Sequence, residues 1–219
     1  MPELNVLITG VGGQGVVLAS DILGDVALES GLDVKKTDSL GMAQRGGSVI
    51  THLRIGEEVA SPLISEGGAD LLLAFEKLEA ARWSAYLKPG GSAVVNYQAM
   101  PPLAVSLGSD SYPSDDEILH LLRHRANDVI IIEGSRLASE MGNGRVLNIL
   151  MLGALSMLTP FSPDVWKNVI RQRLPAKILD INLAAFETGR REMLNLLSAM
   201  PAEIGHAYEA SDDDCGCHH

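Results

Sequence analysis

The chain has 219 residues, with 17 Lys and Arg against 28 Asp and Glu, for a formal net charge of -11. Its 46% of apolar residues and mean hydropathy of +0.14 supply a real core and exclude global disorder. So acidic a chain argues against nucleic acid or an anionic membrane as partner, because both require a basic footprint. No period recurs that would mark a repeat array.

The charge is uneven. Glu203, Glu209, Asp212, Asp213 and Asp214 crowd the end, and no Lys or Arg follows Arg191. The expected organisation is one domain over residues 1–200 and an acidic, flexible tail over 201–219, solvated or seeking a partner. Met1-Pro2-Glu3-Leu4 shows neither a basic segment nor a cleavage site, so no secretory signal is expected. No apolar run reaches the roughly 18 residues needed to span a bilayer. Cys215 and Cys217 are too close together to staple a core, which makes a reducing cytoplasm the expected setting.

In chain order, Leu4 to Thr9 reads as a strand that ends in the cluster Gly10-Val11-Gly12-Gly13-Gln14-Gly15. Val16 to Glu29 is an apolar helix stopped near Gly31, and Asp33 to Thr37 is a second strand. This order opens a βαβ unit, the building block of parallel sheets. Ser48 to Ile55 alternates polar and apolar residues and reads as one arm of a hairpin, with Val59 to Ile64 as its return. Asp70 to Phe75 is continuously apolar, as expected of a strand covered on both faces. Glu76 to Tyr86 is helical, Ser92 to Tyr97 is a strand, and 100–113 is rich in turn formers. Ser114 and Glu117 have the capping-box spacing at the start of a helix running to Arg125. Val129 to Glu133 is a further strand, followed by helices over 135–141, 145–158, 163–173 and 176–197. The fold class expected is α/β: a Rossmann-like three-layer domain with a mostly parallel sheet, helices on both faces and a helical C-terminal part.

Gly10, Gly12 and Gly15 fit G-x-G-x-x-G between a strand and a helix. Glycines let the backbone approach a ligand, and the helix start offers unpaired amides and a partial positive charge. Together they favour a phosphate or another anion. The same spacing also permits a tight turn and close packing alone. A nicotinamide enzyme is one reading, with Asp38 as the residue that would hold the ribose. Gln14, inside the loop, could orient a ligand or cap the helix. A second loop, Gly41-Met42-Ala43-Gln44-Arg45-Gly46-Gly47-Ser48, follows the second strand. There Arg45 is a forked, permanent cation beside Gln44, Gly46 and Gly47, suited to a phosphate or a carboxylate.

These two loops in this order, with Asn148-Ile149-Leu150-Met151-Leu152-Gly153-Ala154 further on, resemble the gamma-type subunit or domain of the ferredoxin-dependent 2-oxoacid oxidoreductases. The resemblance runs from about Asn5 to Leu197. It implies oxidative decarboxylation of an arylpyruvate such as indolepyruvate, with coenzyme A accepting the acyl group and ferredoxin the electrons. Pyruvate, 2-oxoglutarate and branched-chain 2-oxoacids are the other substrates the family admits. Thiamine diphosphate, Mg and iron-sulfur clusters are then held on a large alpha partner subunit. Two cysteines cannot supply the four thiolates of one ordinary cluster. The implied cofactor-binding set is Gly10, Gly12, Gly13, Gln14, Gly15, Gln44, Arg45, Gly46 and Gly47. Arg45 is the candidate for a coenzyme A phosphate or the substrate carboxylate. No residue is assigned a catalytic role, and none a metal.

Other groups carry weaker signals. His52 shares a strand face with Arg54 and is read as structural or surface. His120 and His124 have the i, i+4 spacing of zinc ligands but lie among arginines. Cys215-Gly216-Cys217-His218-His219 could take a soft metal. A stand-alone dehydrogenase and a non-enzymatic adaptor are the competing function classes.

Overall fold

The computed structural model describes residues 3–40 and 47–199. The expected tail over 201–219 lies outside the described residues, as do Gln44, Arg45 and Gly46. The strands are β1 (Leu4–Val11), β2 (Asp33–Leu40), β3 (Ser48–Gly56), β4 (Ala69–Ala74), β5 (Leu87–Asn96) and β6 (Asp128–Ile132). They form one sheet in the order β2-β3-β1-β4-β5-β6. The pairs β1–β4, β4–β5 and β5–β6 are parallel, whereas β3 runs antiparallel to both β1 and β2. The mostly parallel α/β sheet expected from the sequence is present.

Two local expectations are overturned. The second strand does not lie beside the first, because β3 is inserted between them. The hairpin partner of β3 is β2, with Asp33 opposite Gly56 and Leu40 opposite Val49. Only residues 41–47 join these strands, too few for a crossover, so the two must run antiparallel. The segment Val59 to Ile64 forms no strand. Its apolar residues Val59 and Ile64 are buried from an irregular path, held by Val59 N donating to Asp33 Oδ2 (2.9 Å) and Ile64 N donating to His52 Nδ1 (3.3 Å).

Alternation along the strands feeds two cores. Val6, Ile8, Leu71, Leu73 and Val94 face one layer, and Leu7, Leu72, Ala93 and Val95 the other. This is why β4 reads as an unbroken apolar run. The first layer is closed by α1 (Val16–Glu29), α6 (Leu147–Ser156), α7 (Pro163–Arg173) and α8 (Ala176–Ala199). The second is closed by α2 (Lys77–Trp83) and α4 (Asp115–Arg125). Two shorter helices, α3 (Leu103–Ser106) and α5 (Gly134–Glu140), lie in the connections. The α4 start has the full capping box: Glu117 N donates to Ser114 Oγ at 3.3 Å and Ser114 N donates to Glu117 Oε2 at 2.8 Å.

Every residue of α6 is buried. Its crossing with α8 is close enough that a Cβ on Gly189 would lie 1.8 Å from Leu150 O, and one on Gly153 would lie 2.1 Å from Phe186 O. The two glycines thus set where α6 lies, and with it Asn148 at its start.

Candidate functional site

The ends of β1, β4, β5 and β6 meet along one rim of the sheet, where open α/β sheets bind ligands. The glycine loop leaves β1 there. Gly13 and Gly15 have φ of +104° and +83°, conformations that side-chain-bearing residues rarely adopt. Gly12 N donates to Gly47 O at 2.9 Å, so the described end of the second loop sits against the first. Gly10 has no room for a side chain, since a Cβ there would fall 2.8 Å from Gln14 Oε1.

Gln14 neither caps the helix nor hangs free. Val11 N donates to its Oε1 at 2.7 Å, and its Nε2 donates to Phe75 O at 3.1 Å. The side chain braces the loop against the end of β4. The cap position of α1 is Gly15, which provides no side-chain acceptor, and the first turn carries no acidic residue. The opening amides of this 14-residue helix therefore keep their donors and their partial positive charge facing the rim.

A cleft of about 480 Å³ opens above this loop. Gly13, Gln14 and Gly15 form one wall and Gly144, Arg145 and Asn148 the opposite one, with Gln98, Met100, Ser135 and Ser139 between them. None of the described lining residues is a carboxylate or an aromatic. In a chain of net charge -11, this is a local reversal of sign. Arg145 is exposed and forms no ion pair among the described residues. Asn148 is only 6% exposed. Its Oδ1 accepts from Ile149 N at 2.9 Å, which directs Nδ2 to the glycine loop, 2.7 Å from where a Gly15 Cβ would be. That Nδ2 has no hydrogen-bond acceptor among the described residues. The α6 start, which also lacks a side-chain cap, faces the same space.

The remaining wall is pinned by polar contacts. Asn96 Nδ2 donates to Phe75 O and to Ser135 Oγ, both at 2.9 Å, and Ser135 Oγ donates to Gln98 Oε1 at 2.6 Å. Met100 N donates to Glu76 Oε1 at 3.0 Å, and Glu79 N to Glu76 Oε2 at 2.9 Å. The Tyr112 hydroxyl also bonds Glu76. Burial and this carboxylate push the Tyr112 phenol well above its ordinary range. Nearby, the Asp115 carboxylate bonded by the Tyr97 hydroxyl raises the Tyr97 phenol, and Lys77 holds Asp115 below the usual carboxylate range.

The other sequence candidates fall elsewhere. Asp38 is paired with Lys36 (3.1 Å) and accepts from Thr51 Oγ1 (2.5 Å). Its strand is separated from β1 by β3, about 9.5 Å in strand spacings, so the ribose role that a dehydrogenase would need has no geometric support. His52 is buried, not at the surface, against the edge of the Tyr86 ring, and desolvation lowers its pKa. His120 and His124 stack edge to face. Among the described residues no three His, Cys, Asp or Glu side chains gather where a metal ion could sit. No described helix is long and apolar enough to cross a membrane.

Arg145, Gln98 and Ser135 were not singled out from the sequence. The pattern that could have exposed Arg145 is Gly142-Asn143-Gly144-Arg145 before a buried helix, a glycine-flanked arginine like that of the second loop.

The mostly parallel sheet with a cleft at the carboxyl ends of its strands defines an open α/β ligand-binding domain. The family model described as pyruvate ferredoxin/flavodoxin oxidoreductase matches residues 5–192, and the chain belongs to that family. It is 41% identical over 202 residues to the indolepyruvate oxidoreductase subunit IorB of Pyrococcus horikoshii, covering 90% of this chain and 100% of that one. It is 31% identical over 187 residues to the 2-oxoglutarate synthase subunit KorC of Methanothermobacter thermautotrophicus, covering 84% and 91%. Among solved structures, the gamma subunit of a keto/oxoacid ferredoxin oxidoreductase from Geobacter sulfurreducens shares the fold, with TM-score 0.65, 24% identity and coverage of 88% of this chain and 99% of that one. A 2-oxoglutarate:ferredoxin oxidoreductase from Magnetococcus marinus, with 2-oxoglutarate, coenzyme A and succinyl-CoA bound, aligns with TM-score 0.68 and 25% identity over 91% of this chain and 32% of that one.

Proposed function

We propose that this chain is the small subunit of an indolepyruvate:ferredoxin oxidoreductase and that it receives coenzyme A. The observation that carries the coenzyme A role is a cleft with no carboxylate among its described lining residues, with Arg145, Asn148 Nδ2 and the uncapped α1 start converging on one space. Such a donor set suits phosphate groups. The relatives named for indolepyruvate, at 41% identity over their whole length, support the substrate class. The coenzyme A-bound relative supports the acceptor.

On this reading a large alpha partner, in the cytoplasm, holds thiamine diphosphate with Mg and the iron-sulfur clusters and passes electrons to ferredoxin. Thiamine diphosphate supplies the decarboxylation chemistry there. The residues of the present chain bind and orient. The glycine loop gives the phosphates close access to backbone amides, and Arg145 neutralises them. Gln14 and Glu76 hold the two cleft walls in place, and the rim presents the acceptor thiol to the partner. From the sequence, Arg45 with Gln44, Gly46 and Gly47 supplies a second cationic element suited to a phosphate or to the substrate carboxylate.

The test is Arg145→Ala in the co-expressed complex, assayed by dye reduction with indolepyruvate. Losing one charge-assisted contact of about 1.5–3 kcal/mol raises KM for coenzyme A roughly tenfold to a hundredfold and leaves KM for indolepyruvate unchanged. An unaltered coenzyme A KM refutes the cleft assignment. In the same assay, Arg45→Ala with normal KM for both substrates removes Arg45 from the account.

A further inference from the structure

A second, smaller pocket of about 170 Å³ adjoins the cleft and shares Arg145 and Asn148 with it. Its character differs. Leu18, Val146, Leu174 and Ile178 give it aliphatic walls, and Asn143 and Asn182 add carboxamides. The volume is close to the roughly 150 Å³ of a cavity that takes benzene, so it suits a flat ring system and not a phosphate.

The carboxamides decide what kind of ring. Asn182 is 6% exposed. Its Nδ2 donates to Ile178 O at 2.8 Å, while its Oδ1 has no donor among the described residues. Asn143 is the converse: its Oδ1 accepts from Arg145 N at 3.0 Å, and its Nδ2 has no acceptor among the described residues. The pocket therefore offers an unmet acceptor and an unmet donor between apolar walls. Neither atom is sealed from solvent, so a ligand that bonds both in place of water is favoured over one that only fills the apolar space. A phenyl ring completes neither, and an indole has one N–H and no acceptor. An adenine-type base has an exocyclic amine to give and ring nitrogens to receive, the same edge that carboxamides read elsewhere.

We infer that this pocket seats the purine base of the nucleotide whose phosphates occupy the cleft, with Asn182 Oδ1 accepting from the base and Asn143 Nδ2 donating to it. The inference rests on the coenzyme A reading and specifies how the acceptor is told from a shorter thiol. Arg145, on the wall common to both spaces, then lies between base and phosphate.

The experiment uses the assembled complex with two variants. Asn182→Leu removes the acceptor at similar size, and Ile178→Trp fills the pocket from its half-buried rim. Each is assayed with coenzyme A and with 4′-phosphopantetheine, which keeps the thiol and a phosphate but lacks the base. Adenosine 3′,5′-bisphosphate serves as a competing probe. Loss of a buried hydrogen bond raises KM for coenzyme A about tenfold. It also weakens inhibition by the bisphosphate to a similar degree, and KM for phosphopantetheine stays as in the wild type. Equal rises for both thiols overturn the base assignment, as does a rise confined to the arylpyruvate. If neither variant changes any KM while Arg145→Ala does, the base lies elsewhere and the cleft reading survives. If Arg145→Ala is also silent, the cleft reading falls with it.

Discussion

Gly189→Ala tests how the site is positioned, through the sign of its effect. Alanine at a helix interior is favoured over glycine by up to about 1 kcal/mol, so a glycine present only as filler would give a more stable variant. At Gly189 the added Cβ would lie 1.8 Å from Leu150 O and 2.9 Å from Ala154 N. These are backbone atoms of α6, so no side-chain rotation relieves the contact and the two helices must separate. Overpacking of this kind costs about 3 kcal/mol or more, and the net loss after the propensity gain is about 2–4 kcal/mol. For a chain of 219 residues that lowers Tm by roughly 5–15 °C. The assay is thermal and urea unfolding of the purified chain beside wild type. Moving α6 also displaces Asn148, so KM for coenzyme A in the complex rises as well. An equal or higher Tm would refute the close crossing and the account of how α6 is placed.

Three further outcomes follow from the structure. Burial depresses the His52 pKa below its ordinary 6.5, so the unfolded chain binds more protons as pH falls through 6.5. Wild type therefore loses stability from about pH 6.5 downward until the folded-state pKa is reached, and His52→Gln shows a smaller loss in urea titrations at stepped pH. Ser114→Ala breaks the capping box that starts α4 and destabilises the chain by about 0.5–2 kcal/mol. Hydrogen exchange should be faster in α4 and unchanged in α8. Glu76→Gln weakens the anchor of Met100 N and the Tyr112 hydroxyl. It should raise KM for coenzyme A severalfold with little change in kcat, whereas a fall in kcat alone would contradict a positioning role.

Periodicity and capping made most elements readable. The expected α1 over 16–29 and α7 over 163–173 coincide with the helices formed, since glycine and Ser162 mark their ends. The pairing of β2 with β3 was not readable, because alternation along Ser48–Gly56 shows that a strand is half-covered and not which neighbour covers it. Only the length of the 41–47 connection speaks to it. For His52 the sequence left two readings open, structural or surface, for a related reason: the cover that buries it comes from Tyr86 and the irregular segment at Ile64, both distant in sequence. At the site, the glycine loop announced itself through spacing. Gln14 had two readings, capping or ligand orientation, and the structure gives it a third, bracing the loop against Phe75 O. Arg145 escaped notice because its relevance depends on α6 being brought opposite α1 by the Gly153–Gly189 crossing.

The central claim is that coenzyme A lands on this chain and not solely on its partner. Photolabelling the assembled complex with an azido-adenine analogue of coenzyme A, followed by peptide mapping, tests it most directly. The account predicts label on this chain, within the peptides that carry Asn143–Asn148 and Leu174–Asn182, and protection by excess coenzyme A. Label found only on the large subunit would contradict it.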